Sequence, residues 1–174
     1  MLKIEQFFHW VCLNMKAMVG ASIVRVLVVE DHIAFRRFIS STLNKKRNLQ
    51  IICEVSDGLE AIQKAEQLKP DVVLLDIGLP TVNGIEVARQ MRRLDPECKI
   101  IFLTSECDAL VVQEAITLGA WGYVVKAMAE SDLPTALEVV ISGTQFASRT
   151  LGDLHFHCDA SHALGLSTAA PAAS

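Results

Sequence analysis

From Val24 the chain alternates between two periods. VRVLVV (24–29) is an almost unbroken apolar run, and Phe35, Phe38, Ile39 and Leu43 then recur at helical spacing. LQIICEV (49–55), VVLL (72–75), KIIFL (99–103) and WGYVV (121–125) are further short apolar runs, each followed by a segment of helical period. Asp31 is placed to cap the first helix, and Asp57 with Glu60 and Asn83 with Glu86 have capping-box spacing. Pro70 ends the second helix, a helix near 108–118 closes at Gly119, and Ser131 caps the last, with Pro134 in its first turn. Strands apolar on both faces, alternating with amphipathic helices, predict an α/β protein. Its sheet is parallel, five-stranded and covered by helices on both faces.

The flanks break this rhythm. In residues 1–22, Ile4, Phe7, Phe8, Val11, Met15 and Met18 share one helical face, while Glu5, His9, Asn14 and Lys16 argue against a secretory leader. The segment reads either as an amphipathic docking helix or as an upstream extension bypassed by a start at Met15 or Met18, and we prefer the second. The expected domain spans 23–143, and 144–174, closing in Ala and Ser, reads as a flexible tail.

Composition narrows the class further. With 51% apolar and 21% charged residues the chain reads as globular, and a net charge of −4 gives no general attraction to nucleic acid or anionic membrane. The five cysteines, odd in number and without a C-x-x-C, fit a reducing cytoplasm better than a disulfide framework. No apolar run is long enough to span a membrane.

Chemistry collects where the strands end. Glu30 and Asp31 follow the first strand, Asp76 the third, Thr104 and Ser105 the fourth, and Lys126 the fifth. In a parallel sheet of order 2-1-3-4-5 these ends share one edge, and the strand order reverses beside Asp31 and Asp76. Three carboxylates in one crevice repel one another unless a positive charge joins them. Oxygen donors of this kind suit Mg²⁺, and Lys126 adds a second compensating charge. Asp76 is thereby placed to act as a carboxylate nucleophile toward a phosphoryl group.

LVVEDH (27–32), LLDIGLPTVNG (74–84), FLTS (102–105) and GYVVK (122–126), in this order and spacing, resemble the receiver domain of two-component response regulators. The resemblance covers Val24 to Ser142 and implies a flavodoxin-like three-layer sandwich. It implies that Asp76 takes a phosphoryl group from a histidine kinase or phosphotransfer protein. Glu30, Asp31, Asp76 and the Gly78 carbonyl would hold Mg²⁺, and Lys126 would contact the phosphoryl oxygens. Thr104 would be the switch hydroxyl and Tyr123 the switch aromatic. Pairing of two copies through the fourth helix, fifth strand and fifth helix is also implied. AWGYVVK and GTQFAS look most like the subfamily whose receivers precede a LuxR-type helix-turn-helix. Only 32 residues follow Ser142, without periodic apolar pattern, so direct DNA binding is not expected.

The expected function is therefore a phosphorylation-dependent switch in the cytoplasm, a self-phosphorylating acceptor rather than a turnover enzyme. A phosphorylation-independent scaffold and a regulator that has lost its DNA-binding domain are the alternatives. A haloacid-dehalogenase-type phosphohydrolase is disfavoured, because Gly78 stands where its second aspartate belongs. Glu106, two residues past Thr104, reads as a surface charge. Trp121 reads as packing, and Arg36, Arg37, Arg92 and Arg93 as solvated helix faces. His32 reads as the first helical residue. His155, His157, Cys158 and His162 match no zinc spacing.

Overall fold

The structure is a computed structural model that describes residues 23–105 and 109–148. The N-terminal segment, Glu106 and the histidines of the tail lie outside the described residues. Strands β1 (Val24–Val29), β2 (Leu49–Val55), β3 (Val72–Asp76), β4 (Lys99–Thr104), β5 (Gly122–Val125) and β6 (Phe146–Ala147) form one parallel sheet of order 2-1-3-4-5-6. Helices α1 (Ile33–Leu43), α2 (Gly58–Leu68), α3 (Gly84–Leu94), α4 (Ala109–Thr117) and α5 (Ala129–Ile141) connect them.

The two-residue period of the strands divides the core cleanly. Leu27, Val29, Val73, Leu75, Ile100, Phe102 and Tyr123 point to the face covered by α2, α3 and α4. Val26, Val28, Val72, Leu74, Ile101, Leu103 and Val124 point to the other face, under α1 and α5. The three-layer α/β sandwich read from the sequence is the observed architecture, and β3 is buried along its whole length.

One strand is additional. Phe146–Ala147, read from sequence as the start of the flexible tail, pairs with β5, Gly122 opposite Phe146 and Tyr123 opposite Ala147. A two-residue strand has no readable period, and the polar GTQ preceding it masks the signal. Its hold is specific nonetheless. Ser148 N–H donates to the Tyr123 carbonyl at 2.9 Å, and Val125 N–H donates to Ser148 Oγ at 3.1 Å. Ser148 Oγ in turn donates to Asp132 Oδ2 at 2.5 Å. Ser148 is thus a buried polar group with its hydrogen bonds supplied.

Local caps also differ in detail. His32, not Asp31, caps α1, its Nδ1 accepting from Phe35 N–H at 3.4 Å. Asp57 Oδ1 accepts from Leu59 and Glu60 N–H, and Asn83 Oδ1 from Ile85 N–H, so both of these caps stand where the spacing put them. Glu86 turns instead to Arg89 and Gln90. α5 begins at Ala129, because a 3₁₀ turn over Lys126–Met128 leads straight into it. Ser131 Oγ consequently donates back to the Met128 carbonyl rather than capping, and Pro134 falls beyond the first turn. Gly119 follows α4 at φ +74, the left-handed turn expected of it.

Candidate functional site

Strand register explains why distant segments meet. Val29, Leu75, Phe102 and Tyr123 form one row across β1, β3, β4 and β5. Glu30 and Asp76 each come one residue after that row, Thr104 two after it, and Lys126 three after it. The four side chains therefore leave the sheet at the same edge. Asp31, Asp76, Gly78, Thr104 and Lys126 line a cleft there of about 710 Å³.

Within the cleft Lys126 is the hub. Its Nζ donates to Glu30 Oε1 at 2.9 Å, lies 2.8 Å from Glu30 Oε2, and lies 2.9 Å from Asp76 Oδ2. Glu30 is fully buried and Asp76 nearly so, while Asp31 is exposed. Glu30 Oε1 also accepts from His32 N–H at 3.1 Å, and Asp76 Oδ1 accepts from Gly78 N–H at 3.1 Å. The Asp76 carboxylate is thus fixed at both oxygens by different donors, one a backbone amide and one an ammonium.

Burial pushes the Glu30 carboxyl above the usual carboxylate range. The hydrogen bond from Lys126 opposes that push, and the negative charge of Asp76 adds to it. For Lys126, burial acts to lower the ammonium, but its hydrogen bonds to Glu30 and Asp76 outweigh this and hold it above its ordinary value. The lysine therefore remains a cation at neutral pH, and one cation faces three carboxylates.

Each of Glu30, Asp31 and Asp76 offers an oxygen within 4.8 Å of the others. An all-oxygen, anionic donor set open to water on the Asp31 side fits Mg²⁺, which keeps part of its hydration shell. Gly78 lines the same cleft. Thr104 ends β4, almost wholly buried, opposite Val125. Tyr123 is fully buried in the core cluster that includes Val112 and Ala115 of α4.

Residues 26–138 match the family model described as the response regulator receiver domain. The chain belongs to that family. The receiver domain is 33% identical over 125 residues to the response regulator GacA of Pseudomonas syringae pv. syringae, an overlap of 72% of this chain and 58% of GacA. To the chemotaxis protein CheY of Thermotoga maritima it is 36% identical over 116 residues, 67% of this chain and 96% of CheY. A crystal structure of a LuxR-family two-component response regulator from Aurantimonas sp. SI85-9A1 superposes with a TM-score of 0.71 at 28% identity, covering 75% of this chain and 93% of that one. The chain thus matches little more than half the length of GacA and nearly all of CheY. No helix among the described residues is long and apolar enough to cross a membrane.

Two side chains at this site carry more than the sequence reading gave them. Arg36, read as a solvated helix face, reaches back so that Nη1 donates to the Glu30 carbonyl at 2.5 Å, with Nε 3.7 Å from Glu54. Phe35, read as helix core, lines the cleft beside Lys126. Helical spacing alone assigned both, and it is blind to what stands on the neighbouring strand. Arg92 likewise is engaged, donating to the Pro96 and Gly119 carbonyls.

Proposed function

We propose that Asp76 is the phosphoacceptor of a signalling switch, receiving a phosphoryl group from a phosphohistidine of a histidine kinase or phosphotransfer protein. The observation that carries this reading is the Lys126 ammonium bridging Glu30 and Asp76 at the edge of an open cleft, with Asp31 in reach. As an Asp76 oxygen bonds to phosphorus, the P–N bond breaks and its electron pair returns to the imidazole nitrogen, which takes a proton from water. Gly78 N–H holds the carboxylate in orientation, and Lys126 offsets the charge on the moving phosphoryl oxygens. Mg²⁺, held by Glu30, Asp31 and Asp76, supplies further charge neutralisation when bound. Thr104 then supplies a hydroxyl to the phosphate, and Tyr123, on β5, follows the rearrangement. The protein acts as a stoichiometric acceptor rather than a turnover enzyme.

Output passes through a face made by α4, β5 and α5, where Leu110 is 80% exposed. Two copies pairing on that face would meet β6 as well, since it flanks β5. Incubation with Mg²⁺ and acetyl phosphate should add one phosphoryl group by intact mass, stable in acid and lost in alkali. Asp76→Asn should remove the adduct; an unchanged yield would show that another residue is the acceptor.

A further inference from the structure

The Lys126 ammonium has a neighbour that this mechanism leaves unused. Its Nζ lies 5.0 Å from the centroid of the Phe35 ring. That ring is itself stacked on Phe38, centroids 5.5 Å apart and planes at 29°. The Lys126 side chain is only 15% exposed, and Phe35 lines the same cleft as Asp76 and Thr104. A cation over an aromatic face is attracted by the ring quadrupole, more strongly as water is withdrawn.

Ordinary packing is the competing account, because Phe35 also rests against the core cluster under α1 and α5. Packing requires only apolar volume, which a leucine provides. It does not require a π face turned to the one ammonium among the described residues that contacts both Glu30 and Asp76. The two carboxylates fix that ammonium on one side, and the Phe35 ring borders it on another.

We propose that Phe35 is a positioning residue for phosphotransfer: its ring face, braced by Phe38, holds Lys126 Nζ where the transferred phosphoryl oxygens arrive. The inference rests on Asp76 being the phosphoacceptor. When the carboxylate is converted to the acyl phosphate, Lys126 must leave part of its ion pair and turn to the new oxygens. A ring that attracts the cation without directional hydrogen bonds lets it pivot while keeping it in place. A carboxylate or amide side chain at residue 35 would compete with the phosphoryl oxygens for the same protons, which a ring face does not.

The test compares the wild type with Phe35→Leu, which keeps apolar volume, and Phe35→Tyr, which keeps the ring. On unphosphorylated protein, NMR of ¹³C-labelled lysine follows the Lys126 ε-methylene signal, assigned by its loss in Lys126→Arg. The wild-type signal should lie upfield from ring current, return toward the ordinary lysine position in Phe35→Leu, and stay upfield in Phe35→Tyr. With Mg²⁺ and acetyl phosphate, the phosphorylation rate constant should fall about tenfold in Phe35→Leu and recover in Phe35→Tyr. An unshifted wild-type signal overturns the proposal, and this holds even if Phe35→Leu fails to fold. So does a Phe35→Leu rate equal to wild type, or a folded Phe35→Tyr as slow as Phe35→Leu. A wild type that takes no phosphoryl group overturns the phosphoacceptor reading instead, and the lysine signal still reports whether the ring holds the ammonium.

Discussion

Gly84→Ala tests how tightly α3 is seated against the strand that carries Asp76. Gly84 opens α3 and donates its N–H to the Ile77 carbonyl at 3.0 Å. A Cβ at this position would lie 2.1 Å from the Asp76 carbonyl oxygen, 2.8 Å from Ile77 Cα and 2.9 Å from the Asp76 carbonyl carbon. All three are backbone atoms, so no side-chain tip can swing aside. Restoring ordinary contact requires α3 and the end of β3 to part by roughly 1 Å, a shift that, at a reacting group, lowers rates by about a hundredfold. Overpacking costs about 1–3 kcal/mol, and a backbone clash belongs at the upper end. At a urea dependence of about 1–3 kcal/mol/M, the unfolding midpoint should drop by about 1–3 M. Urea melts followed by circular dichroism measure the first effect, and acetyl phosphate labelling rates measure the second. A Gly84→Ala protein with the wild-type midpoint and rate would refute the idea that this close approach sets the position of Asp76.

Two further outcomes rest on the same geometry. Ser148→Ala leaves Val125 N–H without its Oγ acceptor in a buried site, at a cost of about 1–3 kcal/mol; the thermal midpoint should fall by several degrees, and an unchanged midpoint would mean that β6 lies outside the cooperative unit. Burial pushes the Cys98 thiol up to about 12, so iodoacetamide at pH 8 should label Cys53 well before Cys98 by peptide mass spectrometry. Because the folded value exceeds the unfolded one, the neutral thiol's contribution to stability is complete below about pH 9 and is lost as pH rises toward about 12. Equal labelling in the native state would contradict the burial.

How much was legible in the sequence depended on the range of the interaction. Period and punctuation are local, so the five long strands, the helices between them and the caps at Asp57 and Asn83 could be read directly. The convergence of Glu30, Asp31, Asp76 and Lys126 could also be read, because a parallel sheet forces strand ends to one edge whatever the intervening sequence. Contacts that depend on side-chain reach could not. Arg36 and Arg37 are adjacent arginines on one helix, yet Arg36 bends to the Glu30 carbonyl and its neighbour is exposed. β6 was missed because its two residues carry no period, and its anchor is Ser148, a residue type that composition alone assigns to tails. His32 took the cap from Asp31 because α1 starts one residue later than the acidic pair suggests.

If Asp76 accepts a phosphoryl group as proposed, the charge balance of the cleft puts the response on side chains rather than strands. Glu30, Asp31 and Asp76 outnumber Lys126 three to one, and Glu30 is wholly buried, so the pocket favours added positive charge. An acyl phosphate at Asp76 would replace one carboxylate charge with about two negative charges and three acceptor oxygens, which need donors. The strands have little freedom to supply them by moving. β3, β4 and β5 are packed on both faces, and the backbone at Val125 is tied to Ser148 immediately before Lys126. The Lys126 side chain is held only by ion pairs and the Phe35 ring, so it can turn from Glu30 and Asp76 toward new oxygens while its backbone stays. Thr104 stands at the last position of β4, where the hydrogen-bonded ladder of the sheet ends and its constraint on the backbone is released. If Asp76 carries the phosphoryl group, as proposed, Lys126 and Thr104 should respond while the packed sheet below stays as it is.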